Sequence, residues 1–476
     1  MQLTYLVSRA SVFLLFIVLS GYTLPAQSSF DANQPFTPEQ LIEDVDFYLK
    51  TLEEAHVNPY AHISAKELRT RADDIKARIR RRGAMTQKEF WLLFTPLVSA
   101  LQDSHSYVID PRFFIKAEND TTKYFPIRTV YIDGKIVVEN SFADEKVEKG
   151  AIITGINGIS SKELIRKISG HRFGVERERV ENAVLWLWVG AAELFGRPEE
   201  FTVSFSGGRK IQVKGLSLPE FVRRENAARS AVAAVSTDSS PLELKLLGDG
   251  AAYLNSTTFS DDLEKYKEIL REVFTKIKTA GVRHLIIDVR SNRGGNSALG
   301  DALIDMFNSK PYRHYSSIWK RSNQYVEEMK RRKISLPDSY LALRPGETLS
   351  GKSPVIKPGD NPLRFQGQVY VLSAKETFSS GQMFLAVVKD NGLAKIIGEE
   401  TTVAVCSFGE IMFFNLPHSR LRASVSTKSF TPPAGCKDAR GVLPDIAVER
   451  CVSDYVTGRD AILVAALNLI KPGGGK

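Results

Sequence analysis

The sequence predicts an α/β protein of several domains (multi-domain α+β), and three observations support that class. Between residues 36 and 101, apolar residues recur at helical spacing behind three helix-start signals. From about residue 124 to 216, short β-rich runs are bounded by glycine turns. Beyond residue 242, apolar strands alternate with amphipathic helices, which is typical of a largely parallel sheet covered by helices.

The first segment, residues 1–26, has the pattern of a secretory signal peptide. Arg9 is the only charge before an apolar run at residues 12–19, and Ala26 offers a cleavage site. A membrane anchor is the alternative, but the run breaks at Gly21, whereas a spanning helix needs ~20 apolar residues. We therefore expect a periplasmic or secreted protein with no stable membrane insertion after signal removal.

Residues 34–118 are predicted to form an N-terminal helical domain. Each helix begins with a hydroxyl residue that is followed three positions later by Gln or Glu, the pattern of a capping box. The three capping pairs are Thr37 and Gln40, Ser64 and Glu67, and Thr86 and Glu89. Between the first two helices, His56 and His62 flank a turn at residues 58–60 and are expected to pack or to cap.

Residues 119–220 change character and are predicted to form a second domain. A strand at residues 150–158 ends in an Asn-Gly turn, a short helix follows at 161–168, and a hairpin covers 201–213. The strand–turn–helix order resembles a PDZ domain, a module that adds a peptide strand to the edge of its sheet. A long helical stretch at residues 175–194 interrupts the pattern.

Residues 236–470 are predicted to form the main α/β domain, and two of its turns could do chemistry. Gly294 and Gly295 directly follow an apolar strand at residues 284–290, and their exposed N–H groups suit an oxyanion site. Ser379 and Ser380 follow a strand at residues 368–373 and precede a helix, where free N–H groups stabilise negative charge. Taken alone, the first is more often a tight turn and the second more often a helix cap.

Three ordered motifs resemble the tail-specific (C-terminal processing) protease family. Residues 285–295 are similar to its "LIIDLRxNxGG" strand and turn, residues 371–399 to its serine segment, and residues 440–446 to its closing "GIxPDI". The resemblance implies a ClpP/crotonase-like core and a serine peptidase acting on polypeptides. It places the nucleophile at Ser379, three residues before the family's Glu, which is Gln382 here.

The family's Ser–Lys members carry a lysine after the "GExT" motif, but residues 398–404 contain none. The tricorn-core branch instead uses a histidine in an "SHxY" motif, which resembles Ser104-His105 here. The same branch implies a triad acid at Asp438, with Asp445 and Glu410 as alternatives. A free serine hydroxyl is a weak nucleophile and needs such a base.

The resemblance therefore implies a Ser–His–acid mechanism on an exported or misfolded protein substrate. His105 would take the Ser379 proton, and Asp438 would orient the imidazole. The amides of Gly294 or Gly295 and of Ser380 would hold the oxyanion. Two supporting roles complete the assignment: Ser104 adds a hydrogen bond to the acid or the imidazole, and Gln382 stands at the family's glutamate position.

Two other functions stay open on the sequence. The first is a catalytically inactive protein that binds a peptide or small ligand on the same fold. The missing lysine and the Gln at 382 support this alternative. The second is a non-proteolytic crotonase-type enzyme, although no acyl-CoA signature is visible.

The composition argues against some classes of function but does not point to a particular one. The chain is 43% hydrophobic and 25% charged, which is ordinary for a globular protein. Its net charge of +9 does not predict nucleic-acid binding, because the basic residues at 76–82 lie on a helix and those at 320–333 are mixed with glutamates. Cys406, Cys436 and Cys451 lack the spacing of a zinc site, and their pairing stays open. No metal or organic cofactor is expected.

Overall fold

The computed structural model describes residues 34–111, 122–196, 198–232, 240–437 and 440–470. The predicted signal peptide and Asp438 lie outside the described residues. The mixed α/β, multi-domain architecture predicted from the sequence is confirmed.

The N-terminal part contains three helices that begin at the predicted capping residues. Its elements are β1 (Pro35–Phe36), α1 (Pro38–Ala55), α2 (Ala65–Arg82), β2 (Met85–Thr86) and α3 (Gln87–Ser99). The side chains of Thr37, Ser64 and Thr86 each accept a hydrogen bond from the amide three residues on. These caps satisfy amides that a helix start otherwise leaves without partners.

The middle part is a six-stranded antiparallel sheet with helices packed on it. Its elements are β3 (Ile127–Ile132), β4 (Lys135–Ser141), β5 (Ile152–Ile156), β6 (Ile159–Ser160), α4 (Ser161–Ser169), α5 (Glu176–Leu185), α6 (Leu187–Leu194), β7 (Glu200–Phe205), β8 (Lys210–Lys214) and α7 (Leu218–Val232). The strands follow the order β3-β4-β5-β7-β8, with β6 paired to β5. The predicted helical stretch at 175–194 forms two helices that meet at Trp186, where φ is −101° and ψ is 22°. The PDZ-like assignment stays a prediction.

The C-terminal part begins with alternating strands and helices. Its elements to residue 356 are β9 (Leu242–Leu246), β10 (Ala251–Ser256), α8 (Leu263–Thr279), β11 (His284–Asp288), α9 (Ser297–Asp305), β12 (Tyr312–Arg313), β13 (Ser316–Lys320), α10 (Asn323–Arg331), α11 (Asp338–Leu341), β14 (Thr348–Gly351) and β15 (Val355–Ile356). The elements that follow are β16 (Gln368–Ser373), α12 (Ser380–Asp390), β17 (Lys395–Gly398), β18 (Ser407–Asn415), β19 (Arg422–Thr431), β20 (Ile446–Ala447), α13 (Val452–Thr457) and α14 (Ala461–Ile470).

The central sheet of this part has six strands in the order β20-β17-β16-β11-β10-β9. All neighbouring pairs are parallel except β9 with β10. Buried side chains of the strands and of α8, α9 and α12 form one core on one face, and α14 packs on the opposite face. Parallel strands end at the same edge of a sheet, so the turns that follow β11 and β16 lie together.

A second sheet was not predicted, and it connects the N-terminal helices to the rest of the chain. Its four strands follow the order β14-β13-β19-β18 and are antiparallel. Leu41 and Tyr48 of α1 belong to the same buried cluster as Met412 and Val425 of this sheet. The N-terminal helices therefore bury their apolar faces against strands that come more than 300 residues later.

None of the helices in the described part of the chain combines the length and the apolar character needed to cross a bilayer.

Candidate active site

The glycine turn and the serine turn meet at the carboxyl end of the central sheet. Asp288 at the end of β11 pairs with Leu372 on β16, so the two turns leave the sheet at the same edge and at nearly the same register position. The Phe378 amide then donates to the Asn292 carbonyl at 3.0 Å. This bond joins the two turns directly, one residue before Ser379.

Ser379 has a backbone conformation that serine rarely adopts. Its φ is 52° and its ψ is −126°, and it is the N-cap of α12 without making a side-chain capping bond. Such strain in a non-glycine residue persists only where the surroundings impose it, and it concentrates at functional sites. The half-buried serine stands at the tip of a sharp strand–turn–helix, which is the arrangement of a nucleophile elbow.

Gly294 allows the two turns to approach this closely. Its φ is +96°, and a Cβ on it would lie 2.7 Å from the Ser380 nitrogen and 2.8 Å from the Ser379 Cβ. Asn292 holds it in place: the fully buried Asn292 side chain accepts from the Gly294 amide at 2.9 Å and donates to the Ser256 carbonyl at 3.2 Å. Asn292 belongs to the quoted strand-and-turn motif, but its role was not predicted.

Two amides near Ser379 are free to donate. Within the described part of the chain, the N–H groups of Gly295 and Ser380 donate to no acceptor, and the Ser380 hydroxyl donates to the Gly295 carbonyl at 2.7 Å. The Gly294 amide is already used by Asn292. Of the two glycines considered for the oxyanion site, the geometry therefore favours Gly295. Gly294 instead allows the glycine turn to lie close to the serine turn.

His105 lies beside this turn although it comes from the N-terminal part. Its ring stacks on the Phe378 ring with centroids 5.1 Å apart and an interplanar angle of 29°. The loop that carries it is held against β19, where the Ser424 hydroxyl donates to the His105 carbonyl at 2.9 Å and the Ser424 amide to the Tyr107 carbonyl at 2.8 Å. The unpredicted sheet thus brings the histidine to the residue before the serine.

The electrostatics of His105 suit a base. Burial lowers its pKa below the ordinary value, while the Asp103 charge and an interaction with the Phe408 backbone act in the opposite direction. A neutral imidazole at neutral pH can accept a proton. Its Nδ1 is buried and has no hydrogen-bond partner among the residues that the structure describes.

The acid of the predicted triad is not among the described residues, since Asp438 lies outside them. Both alternatives are engaged in other bonds. Asp445 accepts from the Ile396 amide and pairs with Lys389. Glu410 accepts from the Tyr325 hydroxyl at 2.8 Å.

A different carboxyl group was missed. Glu178 of α5 accepts a hydrogen bond from the Ser104 hydroxyl at 2.5 Å. Burial raises the pKa of Glu178 to about 8, and the Asp103 charge adds to the effect, while the Ser104 hydrogen bond and the charges of Arg293 and Arg177 oppose it. Nothing in the sequence signals this contact, because Glu178 stands in an otherwise ordinary helical pattern.

Gln382 and a disulfide complete the surroundings. The Gln382 side chain is buried and donates to the Ala404 carbonyl at 3.0 Å, which ties α12 to the segment that follows β17. Cys406 and Cys436 are bonded, and they line a cavity of about 260 Å³ together with Ser104 on the His105 loop. Across the described residues, no group of three or more His, Cys, Asp or Glu side chains is placed to hold a metal ion.

Residues 250–448 match the family model described as Peptidase family S41. The chain carries a peptidase family S41 domain. The predicted resemblance to the tail-specific proteases is thereby confirmed, and the domain implies a peptidase with polypeptide substrates. The match covers the glycine turn, the serine turn and the closing motif, but not the loop that carries His105.

Alignments with solved structures cover nearly the whole chain. Mature CPAF is 14% identical with a TM-score of 0.62, and the alignment covers 91% of this chain and 97% of CPAF. Mature CPAF complexed with lactacystin is 14% identical with a TM-score of 0.60, covering 91% and 98%. The photosystem II D1 C-terminal processing protease is 13% identical with a TM-score of 0.42, covering 89% and 98%. The two CPAF alignments extend beyond residues 250–448, so the likeness in fold includes parts of the chain outside the S41 domain.

Proposed function

We propose that this protein is a serine endopeptidase with Ser379 as its nucleophile and His105 as its general base. The observation that carries the proposal is the stacking of His105 on Phe378, the residue before the strained serine. The imidazole thereby lies one residue from the proposed nucleophile, although 273 positions separate His105 from Phe378 in the sequence.

The proposed reaction is acyl transfer to serine and then to water. Ser379 Oγ attacks the scissile carbonyl carbon while His105 takes the hydroxyl proton. The carbonyl oxygen becomes an oxyanion that accepts hydrogen bonds from the Gly295 and Ser380 amides. His105 returns the proton to the leaving amine, and water then hydrolyses the acyl-enzyme by the same route. Asp438 remains our proposal for the acid that orients the imidazole.

We further propose that the protein acts in the periplasm or outside the cell on exported or misfolded proteins. The N-terminal sequence pattern supports export, and the bond between Cys406 and Cys436 fits an oxidising compartment. Comparing newly formed protein termini in cells with wild-type protein and with Ser379→Ala would identify the substrates. Termini that do not differ between the two strains would count against this part of the proposal.

The activity is tested with a serine-reactive fluorophosphonate and a library of peptide substrates. We expect labelling of wild type at Ser379, none in Ser379→Ala, and a loss on the order of 100-fold or more in His105→Ala, as is common for a general base. His418→Ala is the matched control, because it removes an imidazole that pairs with Glu43 at the surface.

Each result has a definite meaning. Undiminished labelling of His105→Ala would remove the histidine from the mechanism. A folded wild-type protein that neither reacts with the probe nor cleaves any peptide would favour the alternative, a binding protein that keeps the fold without turnover.

A further inference from the structure

A buried His–Asp pair lies directly beneath the loop that carries His105. His56, at the end of α1, and Asp103 are each 2% exposed in their side chains, and Nε2 of His56 lies 3.1 Å from Oδ2 of Asp103. The Asn58 amide donates to Nδ1 of His56 at 3.0 Å. Because Nδ1 accepts, the proton of the neutral imidazole is on Nε2, which donates to Asp103.

The same carboxylate holds the histidine loop. Oδ1 of Asp103 accepts from the backbone amide of His105 at 2.9 Å, and Oδ2 also accepts from the Ser106 hydroxyl at 2.5 Å. His56 contacts a second neighbour of His105, since its ring lies 5.0 Å from the ring of Phe408. Asp103 therefore bonds the His105 loop directly, and His56 contacts Asp103 and Phe408 at the start of β18.

A general base needs a fixed orientation and a nearby negative charge that stabilises its protonated form. No described carboxylate bonds the His105 ring directly, whereas Asp103 is two residues away and bonds its amide. We propose that Asp103 and His56 are positioning residues for His105: Asp103 fixes the loop and stabilises the imidazolium electrostatically, and His56 orients Asp103. This inference rests on the proposed function.

The charges around the pair agree with that role. Burial alone would raise the pKa of Asp103, but hydrogen bonds from His56 and Ser106 hold it well below its usual range, and the charges that His56 and His105 carry when protonated act in the same direction. Among the described residues, the buried Tyr48 hydroxyl and Glu178 also sense this charge: burial raises the pKa of each, and the Asp103 charge adds to the effect. Asp103 is therefore ionised wherever His105 titrates.

The test compares Asp103→Asn with wild type, with Asp44→Asn as the matched control. Asn keeps an oxygen for the His105 amide but removes the charge. Asp44 is a comparably buried carboxylate on helix α1, and it has a structural role in accepting from the His418 and Ser419 amides.

Two readouts are taken on the full chain. For Asp103→Asn we expect kcat/KM to fall about tenfold or more, since each ~1.4 kcal/mol of lost transition-state stabilisation is a factor of ten. The acid limb of the pH profile should move to lower pH, because the charge that raises the pKa of His105 is gone. His56→Gln should shift the limb in the same direction by less, and Asp44→Asn should leave it in place.

The second readout does not depend on turnover. In a Ser379→Ala background, the ring of His105 is titrated by NMR, with its signal assigned by its loss in His105→Ala. The inference would be supported, even if the wild type proved inactive, by a His105 pKa that falls in Asp103→Asn and does not change in Asp44→Asn. If Asp103→Asn changed neither the pKa of His105 nor the acid limb of the pH profile, the inference would be overturned. The His56–Asp103 pair would then have only a structural role, whatever the activity of the wild type.

Discussion

Substituting Gly294 by alanine would test the close approach of the two turns most directly. The added Cβ would lie 2.7 Å from the Ser380 nitrogen, 2.8 Å from the Ser379 Cβ and 3.0 Å from the Phe378 carbonyl oxygen. All three are shorter than ordinary van der Waals contacts, and two of the atoms belong to the backbone. The turn must therefore shift, or the substitution must strain it.

The magnitude has two parts. A non-glycine residue at positive φ costs roughly 1–2 kcal/mol, and overpacking against well-packed neighbours costs typically ~1–3 kcal/mol. Together they lower the free energy of unfolding by about 2–5 kcal/mol. If the turn instead moves by ~1 Å to relieve the contact, the reactivity of Ser379 should fall on the order of 100-fold.

Urea denaturation measures the first effect and the rate of fluorophosphonate labelling the second. Gly208→Ala is the matched control, because Gly208 has a φ of +84° and nothing within 4 Å of an added Cβ. It should lose only the conformational part, with an unchanged labelling rate. If Gly294→Ala were as stable and as reactive as Gly208→Ala, the approach of Gly294 to Ser379 would be refuted.

Three further predictions follow from the same geometry. Asn292→Ala leaves the Gly294 amide and a buried carbonyl without partners, at about 1–3 kcal/mol each, so both urea stability and labelling rate should fall; an unchanged rate would contradict its positioning role. Because the pKa of Glu178 in the folded state, about 8, exceeds its ordinary value of 4.5, the folded state binds more protons than the unfolded state between these pH values. Melting temperature should therefore fall as pH rises from about 4.5 to 8 in wild type and fall less in Glu178→Gln, and equal slopes would refute the burial of an uncharged carboxyl. Replacing Cys406 and Cys436 by serine opens a loop with a sequence separation of 30 and should lower the free energy of unfolding by about 2–4 kcal/mol, which reductant should reproduce in wild type but not in the variant.

Much of the fold could be predicted because its signals are local. The starts of α1, α2 and α3 are set by capping groups within a few residues, and the structure confirms them. The apolar strands β11 and β16 are recognisable because both of their faces are buried under helices. The break at Trp186 could not be predicted, because no glycine or proline marks it and the residues on both sides form helices.

The candidate site divides in the same way. Ser379 and the glycine turn lie close together because the strands before them are parallel and adjacent. The alternation of strands and helices predicts such a parallel sheet. Its fine structure does not: which glycine amide is free depends on the Asn292 side chain. The partners of Ser104 and Asp103 come from residues 178 and 56, and no periodicity connects such distant positions.

By itself, the sequence determined the helix starts, the parallel strands and the two turns that could do chemistry, because each depends on residues within one element or one turn. Only the tertiary structure decided that His105 lies against Phe378. That contact requires the N-terminal helices to bury their apolar faces on β18 and β19. The free energy of this burial comes from many residues across the whole interface, so no single sequence motif predicts it.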